Sequence, residues 1–146
     1  MIKRREALKN TALLLGTTLT WELSANAKPR YQLGACDWSI GKRLNPETFV
    51  VAKNIGLQGL QLSFNTADDE KGLSNVLLLR TIKEASNRTK IKVSSLAIGE
   101  LNRVPYKSEA KTEEWVWNSV DAAKALGVKV VLLAFFNKGD LRGDDA

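Results

Sequence analysis

Four apolar stretches of strand length alternate with segments of helical periodicity, and this alternation most limits the folds open to the 146-residue chain. The stretches are Tyr31 to Ile40, Leu57 to Phe64, Ile91 to Ile98 and Val128 to Phe136. The last is apolar at almost every position, which is typical of a strand covered on both faces of a parallel sheet. The alternation therefore predicts repeated βαβ units and an α/β fold.

Each helical segment carries its own start signal. Asn45-Pro46-Glu47 predicts the N-cap and first turn of a helix that ends near Ile55. A second helix is predicted from about Ser74 to Asn87, and a third from near Thr112, where two glutamates favour the positive end of the helix. The residues predicted to face the core are Val76, Leu79, Ile82 and Ala85 in the second helix and Trp115, Ser119, Ala122 and Leu126 in the third.

The turns between the elements decide which α/β architecture to expect. Gly56 and Gly127 follow the first and third helices, where left-handed caps would turn the chain into the next strand. After the first strand the sequence reads Cys36-Asp37-Trp38-Ser39-Ile40-Gly41-Lys42, which lacks the glycine-rich phosphate loop of a dinucleotide-binding sheet. We therefore expect a partial (β/α)8 TIM barrel with about four parallel strands and three helices, half of what the barrel needs. Residues 28–146 are predicted to be this truncated N-terminal half.

The first 27 residues have the pattern of an export signal, with a basic start, a short apolar run and small residues at Ala25-Asn26-Ala27. Leu13 to Leu19 is too short for a membrane span of about 20 residues. Arg4-Arg5 favours twin-arginine export over an ordinary secretory signal. The sequence thus predicts a removable signal peptide helix, no stable membrane anchor and a periplasmic or secreted product.

Composition excludes several function classes. Residues 1–27 carry four basic and two acidic side chains, so removing them lowers the formal charge from +6 to +4. The remaining lysines are scattered among acidic residues, which argues against a nucleic-acid partner. The chain has one cysteine, Cys36, and no histidine, so an internal disulfide, a histidine-dependent triad and histidine metal ligands are excluded within it. Cys36 is expected to be a small buried hydrophobe rather than a nucleophile.

Several segments together resemble the xylose isomerase-like TIM-barrel family of sugar phosphate isomerases and epimerases. They are Cys36 to Ser39, Gly56 to Ser63, Ser94 to Asn102 and Ala125 to Val131, and the resemblance covers about residues 31–143. It implies proton transfer between carbons of a sugar or polyol, assisted by a divalent metal. The family takes its carboxylate and histidine ligands from later strands, so the resemblance implies that the metal ligands of a full-length parent are not present in this chain.

Active sites of such barrels lie at the carboxyl ends of the strands, and the candidate residues are chosen there. Trp38 is a candidate for stacking on a sugar or for plugging the barrel. Glu100 is the candidate catalytic carboxylate, against the alternative of a solvated loop residue. Asp140 is expected to orient a substrate or to pair with Arg142. The candidates for binding substrate hydroxyl groups are Gln61, Ser63, Asn65 and Asn137.

Family relatives often carry an acidic residue where Gln61 stands, and glutamine cannot act as a base. The main hypothesis is therefore an exported fragment of a metal-dependent sugar or polyol isomerase or epimerase, with the chain alone inactive. The alternative is a non-catalytic periplasmic sugar-binding or interaction protein that keeps a half barrel and forms a homo-oligomer. An endonuclease-like relative is a third hypothesis, which export and the lack of a basic stripe disfavour.

Overall fold

The computed structural model describes residues 31–142. The predicted signal peptide and its helix, on residues 1–27, lie outside the described residues. Within the described residues, 32–142 belong to one compact unit. Within residues 31–142, no helix has the length and apolar character that a membrane crossing requires.

The core of the unit is a four-stranded sheet in which every strand is parallel to its neighbour. The strands are β1 (Gly34–Cys36), β2 (Gly59–Ser63), β3 (Lys92–Ile98) and β4 (Val131–Leu133). Their spatial order is the same as their order in the sequence. A register shift between Leu60 and Gln61 marks an irregularity in the pairing of β2 with β3. The predicted α/β class with four parallel strands is confirmed.

Four helices accompany the sheet: α1 (Asp37–Ile40), α2 (Thr48–Asn54), α3 (Val76–Thr89) and α4 (Lys111–Leu126). Single turns of 3-10 helix at Gly72–Ser74, Gly99–Asn102 and Asn137–Gly139 complete the connections. Helix α2 contacts α3, and α3 contacts α4. Right-handed crossovers between strands in sequential order place all connecting helices on one face of a sheet, in agreement with these contacts.

Two helices end in the way that the glycines predict. Gly56 and Gly127 have positive φ angles of 81° and 70°. The amide groups of the residues that follow them, Leu57 and Val128, donate back to the carbonyl groups of Ala52 and Ala123 at 3.0 and 2.8 Å. These bonds form the same helix-ending motif twice and direct the chain into β2 and β4. Helix α3 begins with a side-chain cap: Asn75, the residue before its first turn, accepts hydrogen bonds from the amides of Leu77 and Leu78.

Several predicted boundaries are wrong. The first strand ends at Cys36 and not at Ile40, because Asp37 begins the helical turn α1 and its carboxylate binds amide groups of other segments. The fourth strand is only three residues long. Asn45 begins a turn in which its side chain accepts from the amide of Glu47, and the regular helix starts at Thr48.

The predicted buried faces are mostly confirmed. Ile82, Ala85, Trp115, Ser119 and Ala122 are buried, and Leu79 and Leu126 are partly buried. Val76 is 76% exposed, because it lies at the very start of α3, beyond the part of the helix that covers the sheet. The helix-facing side of the strands supplies Leu60, Leu62, Leu96 and Ile98, all essentially inaccessible.

Two glycines with positive φ separate the effect of backbone strain from that of steric overlap. Gly72 has a φ of 45°, and a Cβ added there would lie 2.0 Å from the carbonyl oxygen of Phe64. A Cβ at Gly56, with a φ of 81°, would have no atom within 4 Å. We expect Gly56→Ala to lower the free energy of unfolding by about 1 kcal/mol and Gly72→Ala by at least about 3 kcal/mol. Denaturant titration measures both, and equal losses would contradict the close approach at Gly72.

Candidate binding cleft at the carboxyl end of the sheet

A cleft of about 190 Å³ opens at the carboxyl ends of the strands, on the face of the sheet opposite the helices. Ser63 at the end of β2 and Ala97 near the end of β3 form its floor, and Leu132 of β4 is their neighbour. The side chains of Trp38, Arg43, Asn102 and Phe136 also line it. Because these residues come from loops after three different strands, parallel pairing is what brings them together.

Trp38 and Arg43 form one wall of the cleft. The guanidinium carbon of Arg43 lies 5.9 Å from the centre of the Trp38 ring, which is within the range of a cation–π contact. Trp38 keeps 40% of its surface exposed. The ring is therefore held by Arg43 and still presents an apolar surface to the cleft.

Glu100 lies behind this wall and is buried. One carboxylate oxygen accepts from Nη1 of Arg43 at 3.3 Å, and the other accepts from Nε and Nη2 of Arg103 at 3.1 and 3.0 Å. Two guanidinium groups thus surround one carboxylate, leaving the trio with one net positive charge. Any catalytic role for Glu100 would first require that these ion pairs be broken.

Asp37 connects the first loop to the end of β2. Its side chain is fully buried, and Oδ2 accepts from the backbone amides of Leu44 and Ser63, both at 3.0 Å. Its Oδ1 accepts from the hydroxyl group of Ser63 at 2.9 Å. Three hydrogen bonds to one buried carboxylate fix the loop that carries Arg43 against the strand that carries Ser63.

A row of polar side chains crosses the same face of the sheet, one layer below Ser63. The thiol of Cys36 donates to Oε1 of Gln61 at 3.2 Å, and Nε2 of Gln61 donates to Oγ of Ser95 at 3.0 Å. Burial, followed by the nearby carboxylate of Asp37, raises the pKa of the Cys36 thiol, while a hydrogen bond with Ser39 opposes the rise. The thiol therefore stays protonated at neutral pH and acts as a hydrogen-bond donor.

Two predicted asparagines lie away from the cleft. Asn65 is 1% exposed, its amide nitrogen is 3.5 Å from the carbonyl oxygen of Glu70, and its own Oδ1 has no partner among the described residues. Asn137 is exposed and adopts a positive φ of 50° at the start of a 3-10 turn. It borders a separate hollow beside Asp140 and Arg142, where hydrogen bonds from Arg142 lower the pKa of Asp140 to about 2.

The cleft thus includes two of the predicted residues, Trp38 and Ser63, and Gln61 faces the same side one layer away. Glu100 reaches the cleft only through Arg43. Sequence reasoning did not select Arg43, Asp37 or Asn102 as site residues. Oδ1 of Asn102 accepts from the amide of Phe136 at 3.1 Å, and the two residues are 34 positions apart in the sequence. Two features of the sequence could have pointed to Asp37 and Arg43 as site residues. They are the position of Asp37 at the end of an apolar strand and the single basic pair, Lys42-Arg43, in the first loop.

The described residues do not fit a divalent metal. Between Tyr31 and Arg142, no three His, Cys, Asp or Glu side chains are grouped so that they could hold an ion. The two buried carboxylates that adjoin the cleft are already engaged, Asp37 by three donors and Glu100 by two guanidinium groups.

The chain matches no protein-family model, and a search of curated proteins finds no significant match.

Replacing the Asp37 carboxylate tests whether it organises the cleft. In Asp37→Asn the side-chain amide can no longer accept from two backbone amides and a hydroxyl group together, so we expect a loss of about 2–4 kcal/mol in the free energy of unfolding. Asp121→Asn, at a side chain that is 77% exposed, is the matched control and should leave the unfolding midpoint unchanged. Denaturant titration followed by circular dichroism measures both. An Asp37→Asn midpoint equal to that of the control would contradict the assignment.

Proposed function

We propose that this chain is the exported N-terminal half of a (β/α)8 barrel in the xylose isomerase-like family, and that its cleft binds part of a sugar or polyol. The observation that carries the proposal is the cleft at the carboxyl ends of parallel strands, on the face opposite the helices. In barrel enzymes this end of the sheet is where substrates bind. The family resemblance of residues 31–143 supplies the substrate class and the reaction.

The groups in the cleft suit a polyhydroxylated ligand. A sugar has an apolar face of C–H groups and a rim of hydroxyl groups, and the exposed ring of Trp38 matches the first of these. Ser63 donates its hydroxyl hydrogen to Asp37, so its oxygen can accept from a ligand hydroxyl. Asn102 uses its oxygen for the amide of Phe136, which leaves its amide nitrogen as a donor.

The proton transfer that the family performs requires groups beyond those of the cleft. Gln61 cannot act as a base, and the thiol of Cys36 is held in its protonated form. In the proposed full-length parent, later strands supply the metal ligands and the base, while the residues described above bind and orient the ligand. A bound divalent metal would supply polarisation of a ligand oxygen in that parent.

A non-catalytic sugar-binding protein is the second candidate. The engagement of both buried carboxylates favours it, because neither Asp37 nor Glu100 is placed to accept a proton from a ligand without losing its present partners. Binding is common to the two candidates. Deuterium exchange from solvent into a bound sugar, by a full-length parent with divalent metal, would be expected only for the enzyme.

Substitution of Trp38 tests the cleft as a polyol site. We expect Trp38→Ala to weaken binding of D-xylose or sorbitol about tenfold, because the stacking surface is lost. Trp38→Phe keeps an aromatic face and should retain most of the affinity. Leu77→Ala, at an exposed position of α3, is the control and should bind as the unsubstituted chain does.

Isothermal titration calorimetry with each variant measures these affinities. A folded chain that binds neither probe, or a Trp38→Ala variant with unchanged affinity, would contradict the proposal.

A further inference from the structure

Within residues 31–142, no helix covers the second face of the sheet, and each edge strand, β1 and β4, pairs with only one neighbour. Parallel sheets occur almost only with both faces covered, and unpaired edge strands attract further strands. Here the helices cover one face, while the other carries the partly exposed Trp38, Leu132 and Phe136. A structure of this type is incomplete by the ordinary rules of sheet packing.

Exposed apolar side chains are found at both flanks of the unit. Leu33, next to β1, is 65% exposed, and Val51 and Ile55 of α2 are 38% and 58% exposed; we call these three residues the β1 flank. At the other end, Val120 of α4 is 36% exposed and Val130, next to β4, is 57% exposed; these two residues form the β4 flank.

The position of Val120 on its helix shows which way the β4 flank faces. On the side of α4 that faces α3, the carbonyl group of Ala125 accepts from Nζ of Lys83 at 3.3 Å. At 100° per residue, Val120 lies about 140° around the helix from Ala125. Val120 is therefore turned away from α3, toward the place that a further helix would occupy beside α4.

We propose that, in the 146-residue chain on its own, a second copy takes the place that the later strands would occupy in the proposed full-length parent. It covers both flanks, with β4 of each copy pairing in parallel with β1 of the other to form an eight-stranded closed barrel. Both edges belong to one parallel sheet, so a two-fold rotation about the barrel axis satisfies both at once. Eight strands give a barrel whose interior side chains can just fill. The second copy also covers the face that carries Leu132 and Phe136 and completes the cleft on its β4 side.

The exposed area is sufficient for such an assembly. Taking roughly 150–250 Å² for each large side chain, multiplied by its exposed fraction, the two flanks with Leu132 and Phe136 expose on the order of 500–900 Å² in each copy. Two copies would then bury at most about 1,000–1,800 Å², a range that overlaps the size of a stable interface. The inference rests on the barrel architecture of the proposed function and not on its ligand, because the dimer should form whether or not a polyol is bound.

Sedimentation equilibrium of the protein expressed from the whole 146-residue sequence tests the proposal. The expected result is a dimer whose dissociation constant rises about 100-fold in Leu33→Lys and in Val130→Lys, since each places a charge in a buried seam. The matched controls are Leu77→Lys and Val76→Lys, the same substitutions at positions of α3 that are 74% and 76% exposed and belong to neither flank. Both controls should remain dimeric.

Mixing the two flank variants tests how the copies are arranged. If β1 of one copy pairs with β4 of the other, a heterodimer of Leu33→Lys and Val130→Lys carries both lysines in one seam and keeps the second seam intact. The mixture should therefore associate more tightly than either variant alone. Serine replaces lysine at any position where the variant loses its far-ultraviolet circular dichroism. The proposal would be overturned if the unsubstituted 146-residue chain were monomeric, if the flank variants dimerised as tightly as their controls, or if the mixture formed no heterodimers.

Discussion

Parallel pairing of consecutive strands is the constraint on which the rest of this structure depends. Each crossover needs a helix, and sequential strand order places α2, α3 and α4 on the same face of the sheet. The same order brings the carboxyl ends of all strands to one edge, where the cleft lies. It also leaves the other face and both edge strands without helical cover. The cleft and the proposed dimer therefore have one physical origin.

Two buried carboxylates give the cleft its fixed shape. Asp37 holds the first loop to β2 through hydrogen bonds, and Glu100, after β3, forms ion pairs with Arg43 of the first loop and with Arg103. Buried carboxylates of this kind stabilise a structure only when donors surround them, and both have such donors. The consequence for function is that the acidic residues nearest the cleft serve to position Trp38, Arg43 and Ser63. In the proposed function, ligand binding by the cleft is therefore separate from proton transfer, which the proposed parent would carry out with other residues.

Local signals predicted much of the fold. Gly56 and Gly127 predicted where helices end, because a left-handed residue there strongly favours glycine, and apolar periodicity predicted the buried faces of α3 and α4. Apolar content predicted ends for β1 and β4 that lie too far along the chain. The reason is that Trp38 and Phe136 are as apolar as strand residues but line a cleft. The site was harder to predict. Trp38 and Ser63 were selected from strand ends, whereas Arg43 and Asn102 enter the cleft through contacts with Glu100 and Phe136 that are 57 and 34 residues distant in sequence.

The most direct test of the parallel, sequential sheet is a nuclear Overhauser measurement on the isotopically labelled chain. A parallel, sequential sheet should give backbone contacts between Gln61 and Ser95 and between Leu96 and Val131, in parallel registers, together with contacts of Ala35 with Leu60. Contacts in antiparallel registers, or β1 beside any strand other than β2 within one copy, would contradict it.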